Sequence, residues 1–193
     1  MRKFINKYFK VIVFTLLFFG IITSFSCAQE LPKGELSILL TSSGQSPDAF
    51  VVKVLLDRAK IESSYNGLVN VDEIKDIKTL IIVMGGSTKG LGAAGIDEKF
   101  ELERSTKIID EAIKQGILVL GIHIGGEGRR GPLSQQFIDL VAPRTKGLIV
   151  TEEGNKDGYF SNLSKDKNIP LVVVTTTPEV GGVLQKVFQA DVE

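Results

Sequence analysis

Arg129 and Arg130 stand side by side between Gly128 and Gly131, just ahead of Pro132 and Ser134. Two guanidinium groups on a glycine-flanked loop can each make paired hydrogen bonds to a carboxylate or a phosphate. The competing use is internal, with one arginine paired to Glu127, Glu152 or Glu153 and the other facing water; the sequence leaves both open. A few residues upstream lies His123, the only histidine in the chain, followed by Ile124, Gly125 and Gly126. An imidazole titrates near neutral pH and can carry a proton to or from a ligand. On an apolar strand it can equally be a hydrogen-bonded structural group. Glu152 is the second candidate acid/base.

Two further stretches carry polar groups in a pattern suited to an anion. Thr41-Ser42-Ser43-Gly44-Gln45-Ser46-Pro47-Asp48 joins an apolar run to a helix start, where free backbone N–H groups and the helix dipole favour negative charge. Gly85-Gly86-Ser87-Thr88-Lys89-Gly90 opens a segment with five glycines in eleven residues, ending at Gly95. Glycine permits positive φ and close backbone approach, and Lys89 beside hydroxyls points to an anionic or polar partner. The bland reading of this loop is close packing on a neighbour. The candidate ligand-binding set is therefore Ser42, Ser43, Gly44, Gln45, Ser46, Gly85, Gly86, Ser87, Lys89, Gly90, His123, Gly125, Gly126, Arg129 and Arg130.

Several chemistries are disfavoured. A serine nucleophile at Ser42 or Ser43 lacks the Gly-x-Ser-x-Gly elbow. Gly90-x-Gly92-x-x-Gly95 matches a dinucleotide fingerprint only formally, because it does not follow the first strand of its unit directly. Glu152, Glu153 and Asp157 have no loop spacing of a calcium site, and no metal is expected.

These residues need elements to position them. Leu36 to Leu40, Glu62 to Tyr65, Thr79 to Val83, Ile117 to Ile124, Gly147 to Val150 and Pro170 to Val174 read as strands, mostly short runs suited to burial on both faces. Ser46, Pro47 and Asp48 give a cap, a first-turn proline and an acid for a helix with Ala49, Val52, Leu55, Leu56 and Ala59 as its stripe. Asn70 with Glu73 forms a capping box. A long helix runs from about Asp97 to Gln115, with Phe100, Ile108, Ile109, Ala112 and Ile113 as its expected buried side. Helices follow from Pro132, around Tyr159 to Leu163, and from Thr177-Pro178-Glu179 to Phe188. Alternating strands and helices predict a three-layer, doubly wound α/β fold with a mainly parallel sheet of five to six strands. The polar loops follow strands one, three, four and five. The flavodoxin-like order 2-1-3-4-5, with the sixth strand beyond the fifth, gathers them at one rim; the order 3-2-1-4-5-6 would not.

The first 28 residues stand apart. Arg2, Lys3, Lys7 and Lys10 precede an apolar stretch from Val11 to Phe25, shorter than the roughly 20 residues that span a bilayer. This is the pattern of an export signal. Ser26 and Ala28 suit cleavage before Gln29, and Cys27 suits a lipoprotein signal ending in lipidation of that residue; both outcomes stand. Either leaves residues 29–193 as a single α/β domain without a cysteine, so without a disulfide or thiol nucleophile. The chain holds 23 basic and 23 acidic residues, and losing four basic ones with the leader leaves a net charge of −4. That balance argues against a nucleic-acid partner. Membrane attachment is expected only through lipid at Cys27, in a periplasmic, extracellular or lipoprotein setting.

The hydroxyl spacing across Thr41, Ser43, Gly44 and Ser46 resembles the phosphate loop of flavodoxins. That resemblance implies a flavodoxin-like core and anion affinity. Flavodoxins also sandwich their flavin between aromatic residues of later loops, and residues 85–95 contain none, so no cofactor is expected. The strings Leu39 to Asp48, Gly85 to Asp97, and His123 to Gly126 with Arg129-Arg130-Gly131 together resemble an exported bacterial family catalogued as a domain of unknown function. It implies export and a Rossmann-like core and brings no activity. The expectation is an exported protein that binds a small anionic or polar metabolite at the carboxyl ends of the strands, with an envelope or transport protein as partner. A hydrolase or transferase using His123 or Glu152, and a cell-envelope interaction module, are the alternatives.

Overall fold

Runs of Leu, Ile and Val with β-branched side chains leave little room for anything but strands buried on both faces. In the structure, a computed structural model describing residues 30–188, they form β1 (Ile38–Ser43), β2 (Ser63–Tyr65), β3 (Thr79–Met84), β4 (Leu118–His123), β5 (Gly147–Thr151) and β6 (Leu171–Val174). All pairings are parallel, in one sheet of order β2-β1-β3-β4-β5-β6. The order expected from the loop distribution is the order found. The proposed leader, Cys27 and both cleavage positions lie outside the described residues.

The helices are α1 (Asp48–Arg58), α2 (Thr88–Ala93), α3 (Glu98–Lys114), α4 (Pro132–Val141), α5 (Tyr159–Lys167) and α6 (Glu179–Phe188). Leu40, Ile81, Val83, Leu120 and Ile122 face Val52 and Leu56 of α1 and Leu184 of α6. The alternate residues Leu80, Ile82, Met84, Val119 and Val150 face α3, α4 and α5 through Ile108, Ile109, Ile138 and Phe160. Period-two alternation thus divides one sheet between two apolar layers. Each fully buried Leu, Ile or Phe contributes roughly 1.5–3 kcal/mol of transfer free energy. No helix among the described residues is long and apolar enough to cross a membrane.

Three local expectations are corrected. The first strand starts at Ile38 and runs through Ser43, in register with Val83 and Met84, while Leu36 is 62% exposed. Pairing continues through hydroxyl residues because Ser43 finds a buried partner, donating to Ser105 Oγ at 2.8 Å. The glycine-rich segment is not all loop: Ser87 Oγ accepts from Gly90 N at 3.0 Å and caps α2, which is pinned by buried Leu91. A Cβ on Gly90 would sit 2.0 Å from the Gln45 carbonyl, so that glycine serves chain-to-chain packing.

The third correction concerns α3. Phe100 and Ile113, expected inside, are 52% and 48% exposed. The buried stripe is instead Glu101, Arg104, Ser105, Ile108, Ile109 and Ala112. Arg104 Nε donates to Glu101 Oε2 at 2.7 Å and Nη2 to Oε1 at 2.9 Å. Its other N–H groups reach the Val69 carbonyl at 3.0 Å and the Ser42 carbonyl. Glu101 Oε1 also accepts from Gly44 N at 2.9 Å and from Gln45 Nε2 at 3.0 Å. Two charges have been taken from water, and they bond each other, Ser42 of β1, the turn after it and the loop beyond β2.

Arg104→Met leaves the Glu101 carboxylate buried without its cation. It is expected to cost about 3–5 kcal/mol in urea unfolding. Replacing Glu101 as well, by Leu, should cost clearly less than the two single losses added. A single-variant loss below about 1 kcal/mol, or simple additivity, would show that the pair does not hold β1 in place.

Candidate functional site

Ligands of open parallel sheets bind beyond the carboxyl ends of strands, where the order reverses, here between β1 and β3. In this chain that position is laced shut by backbone. Ser46 N donates to the Gly85 carbonyl at 3.1 Å and Ser87 N to the Gly44 carbonyl at 2.8 Å. Gln45 and Gly86 form an isolated antiparallel bridge, and Gly86 N donates to Ser134 Oγ at 3.0 Å. Ser42, Ser43 and Gly44 are buried, and the Gly44 N–H already holds an anion, the Glu101 carboxylate. Lys89 is exposed on α2 and has no ion pair or hydrogen bond among the described residues.

The groups left at the rim lie on the other side of Ser46, over β4 and β5. Arg129, in a short turn (Glu127–Arg129), reaches back 83 residues so that Nη1 donates to Ser46 Oγ at 3.3 Å. Ser46 Oγ also accepts from Asp48 N at 3.3 Å. With both contacts incoming, its own O–H proton remains to be given. Arg129 has no carboxylate partner among the described residues, and the nearby Asp48 Oδ2 is buried without a hydrogen-bond partner. A Cβ on Gly125 would meet Arg129 Cβ at 2.5 Å, so only glycine lets this side chain lie across the end of β4.

Arg130 turns the opposite way. It pairs with Asp157 through Nη2 at 3.0 Å and Nη1 at 3.1 Å, and Nη2 donates to Gln135 Oε1 at 2.9 Å. Nη1 also donates to the Gly154 carbonyl, and the guanidinium lies 5.1 Å from the Phe160 ring and 5.2 Å from that of Tyr159. Its acid is therefore Asp157; Glu127 pairs with Lys156 at 2.8 Å. Glu152 is exposed and accepts from Thr175 Oγ1 at 3.2 Å, toward the β6 edge.

His123 is fully buried, stacked on Phe160 with centroids 5.5 Å apart. Its Nδ1 lies 2.8 Å from the Met84 carbonyl, which can only accept, so Nδ1 carries the proton and Nε2 presents a lone pair. Burial lowers its pKa first of all; the Met84 carbonyl opposes that, and the positive charge of Arg130 adds to the lowering. Among the described residues, no serine hydroxyl bonds either ring nitrogen, so no Ser–His dyad is assembled there. Among the described residues, no group of three His, Cys, Asp or Glu is placed to hold a metal.

The site thus brings together Ser46, Gly125, Arg129, Arg130 and His123 and leaves Lys89 and Glu152 apart. Sequence reasoning missed Glu101 and Arg104, took Asp48 only as a helix-start acid and weighed Asp157 only as a metal ligand. The first two carry a signal: extending the Ile108, Ile109, Ala112 stripe toward the amino end by helical steps lands on Arg104, Ser105 and Glu101.

Fold and rim together define a doubly wound parallel α/β domain with polar loops gathered at the carboxyl ends of its strands. The chain belongs to the family described as Domain of unknown function (DUF6305), whose model matches residues 35–188. No curated protein matches it in sequence. Among solved structures, it is similar to the psychrotrophic esterase EstA from Pseudoalteromonas sp., a structure inhibited by monoethylphosphonate. That match has 13% identity and a TM-score of 0.31 and covers 72% of this chain and 77% of that one. A variant of esterase AlinE4 is similar at 12% identity and a TM-score of 0.30, covering 86% and 87%. Likeness at that level carries no argument about activity.

The lowered pKa of His123 has a definite consequence for stability. Above pH 6.5 the imidazole is neutral folded or unfolded and contributes no pH dependence. Below it, the unfolded chain takes up a proton that the folded chain refuses, so stability falls with acid by up to about 1.4 kcal/mol per pH unit. Urea unfolding at pH 7.5 and pH 5 should show a larger acid loss for wild type than for His123→Gln. Equal losses would contradict the lowered pKa.

Proposed function

We propose that this domain is an exported binding protein that holds a small anionic metabolite, carboxylate- or phosphate-bearing, at the rim over β4 and β5. The observation that carries the reading is Arg129: a guanidinium on a glycine-bounded turn, without a carboxylate partner among the described residues, beside a Ser46 hydroxyl whose proton is uncommitted. Arginine supplies a planar fork that matches carboxylate and phosphate oxygens, and Ser46 adds a neutral donor beside it. Asp48, close by, offsets part of the positive charge. Directional hydrogen bonding to a singly charged acid therefore suits the site better than bulk attraction of a polyanion.

Capture is proposed over turnover because no nucleophilic side chain bonds His123 Nε2 among the described residues and Glu152 is bonded at the β6 edge. An envelope or transport protein would be the receiver of what is bound, and the leader pattern around Cys27 is the support for an exported setting.

Isothermal titration with propionate and with inorganic phosphate tests the reading. At least one should bind the wild-type protein, and Arg129→Ala should weaken that binding by about tenfold or more. Lys89→Ala should change it by much less. No binding of either anion at millimolar concentration, or binding indifferent to Arg129, would sink the proposal.

A further inference from the structure

Two buried polar atoms of opposite character lie close to this site without partners. His123 Nε2 is an acceptor, and Arg130 Nε–H is a donor. Leaving either unmet in a dry interior is costly, because desolvation is not repaid by a bond. The imidazole is held at Nδ1 by the Met84 carbonyl on β3, so Nε2 faces the opposite way, toward β5. There Gly154 packs against the ring, and a Cβ on it would come within 2.8 Å of His123 Cδ2. The Gly154 carbonyl takes Arg130 Nη1, and both the imidazole and the guanidinium rest on Phe160. The two side chains therefore share Gly154 and Phe160 as neighbours, His123 lying beside the glycine at Cδ2 and Arg130 bonding it through Nη1. A cleft of about 190 Å³, lined by Arg130, Gly154, Glu153, Lys156, Asp157 and Glu127, opens at Arg130 and Gly154.

We propose that His123 Nε2 and Arg130 Nε–H form a hydroxyl-recognition subsite, so that the small acid bound at Arg129 carries a hydroxyl group which enters between them. The inference rests on the anion reading above and adds the class of ligand. A hydroxyl is the group that meets both atoms at once, giving its proton to Nε2 and accepting from Nε–H. A carboxylate has no proton to give, and an ammonium has no lone pair to offer. His123 can act as the acceptor because burial and the adjacent Arg130 charge keep Nε2 unprotonated. Arg129 and Arg130, consecutive in the chain, thereby divide recognition between the acid and the hydroxyl of one small molecule, a hydroxy acid or a phosphorylated polyol.

Two matched pairs of probes test this, lactate against propionate and glycerol 3-phosphate against propyl phosphate. In at least one pair the hydroxylated member should bind about tenfold or more tightly. Because the chain has one histidine, its side-chain ¹⁵N spectrum reports Nε2 without ambiguity. The Nε2 resonance should move with the hydroxylated member and stay in place with its partner. In His123→Phe and in Arg130→Lys, the affinity ratio should collapse toward one. Equal binding of both members, or an Nε2 resonance already hydrogen-bonded in the free protein and unmoved by ligand, as an internal water would leave it, overturns the subsite while the anion reading survives. Failure of all four probes to bind removes both.

Discussion

A carboxylate and a guanidinium buried one helical turn apart on α3 determine how the upper end of this molecule is built. Glu101 and Arg104 are 0% and 6% exposed, and between them they bond Ser42, Gly44, Gln45 and Val69. Such a pair repays its desolvation only when every lone pair and proton is met, which demands that four separate backbone and side-chain groups hold their positions. The turn after β1 is therefore a fixed structure before any ligand arrives. In proteins of this layout that turn offers N–H groups to an external anion. Here the chain supplies the anion itself.

That internal occupation moves the open chemistry sideways. With the gap between β1 and β3 closed by paired backbone, the groups left to meet a ligand are Arg129 and Ser46 with the unpartnered atoms of Asp48, His123 and Arg130, while the unpartnered Ser42 hydroxyl is buried on β1. Arg129 and Arg130 face different ways because Gly125 lets one cross the end of β4, while Asp157 and two aromatic rings hold the other at β5. The candidate site is thus asymmetric, with its bound cation on one side and its uncommitted cation on the other.

The parts of this arrangement that could be read in the sequence are those governed by local patterns. Apolar runs bounded by Gly, Pro and Ser give the six strands, the capping box of Asn70 and Glu73 forms as read, and the placement of polar loops gives the strand order. What escaped reading depends on partners distant in sequence. Glu101 and Arg104 do not figure in the expected buried side of α3, and their burial follows from carbonyls 35 and 62 residues away. The acid of Arg130 is not one of the nearest three glutamates but Asp157, which is brought near by the parallel crossover. Five glycines read as a binding loop or as close packing on a neighbour; the packing, on Gln45 and Leu133, is what forms, and part of the stretch is α2. Convergence at the rim was legible, whereas the division of its groups between structure and ligand was not.

The two ends of the domain meet at the pole away from all of this. Gly34 N donates to the Val187 carbonyl at 2.9 Å, Thr79 Oγ1 to the Glu35 carbonyl at 2.9 Å, and Leu31 and Pro32 lie against Gly147, where β5 begins. Residues 31–35 therefore run beneath the amino ends of the strands. Both ends of the described chain lie at the base of the sheet, at the pole opposite Arg129, and leave the rim over β4 and β5 uncovered.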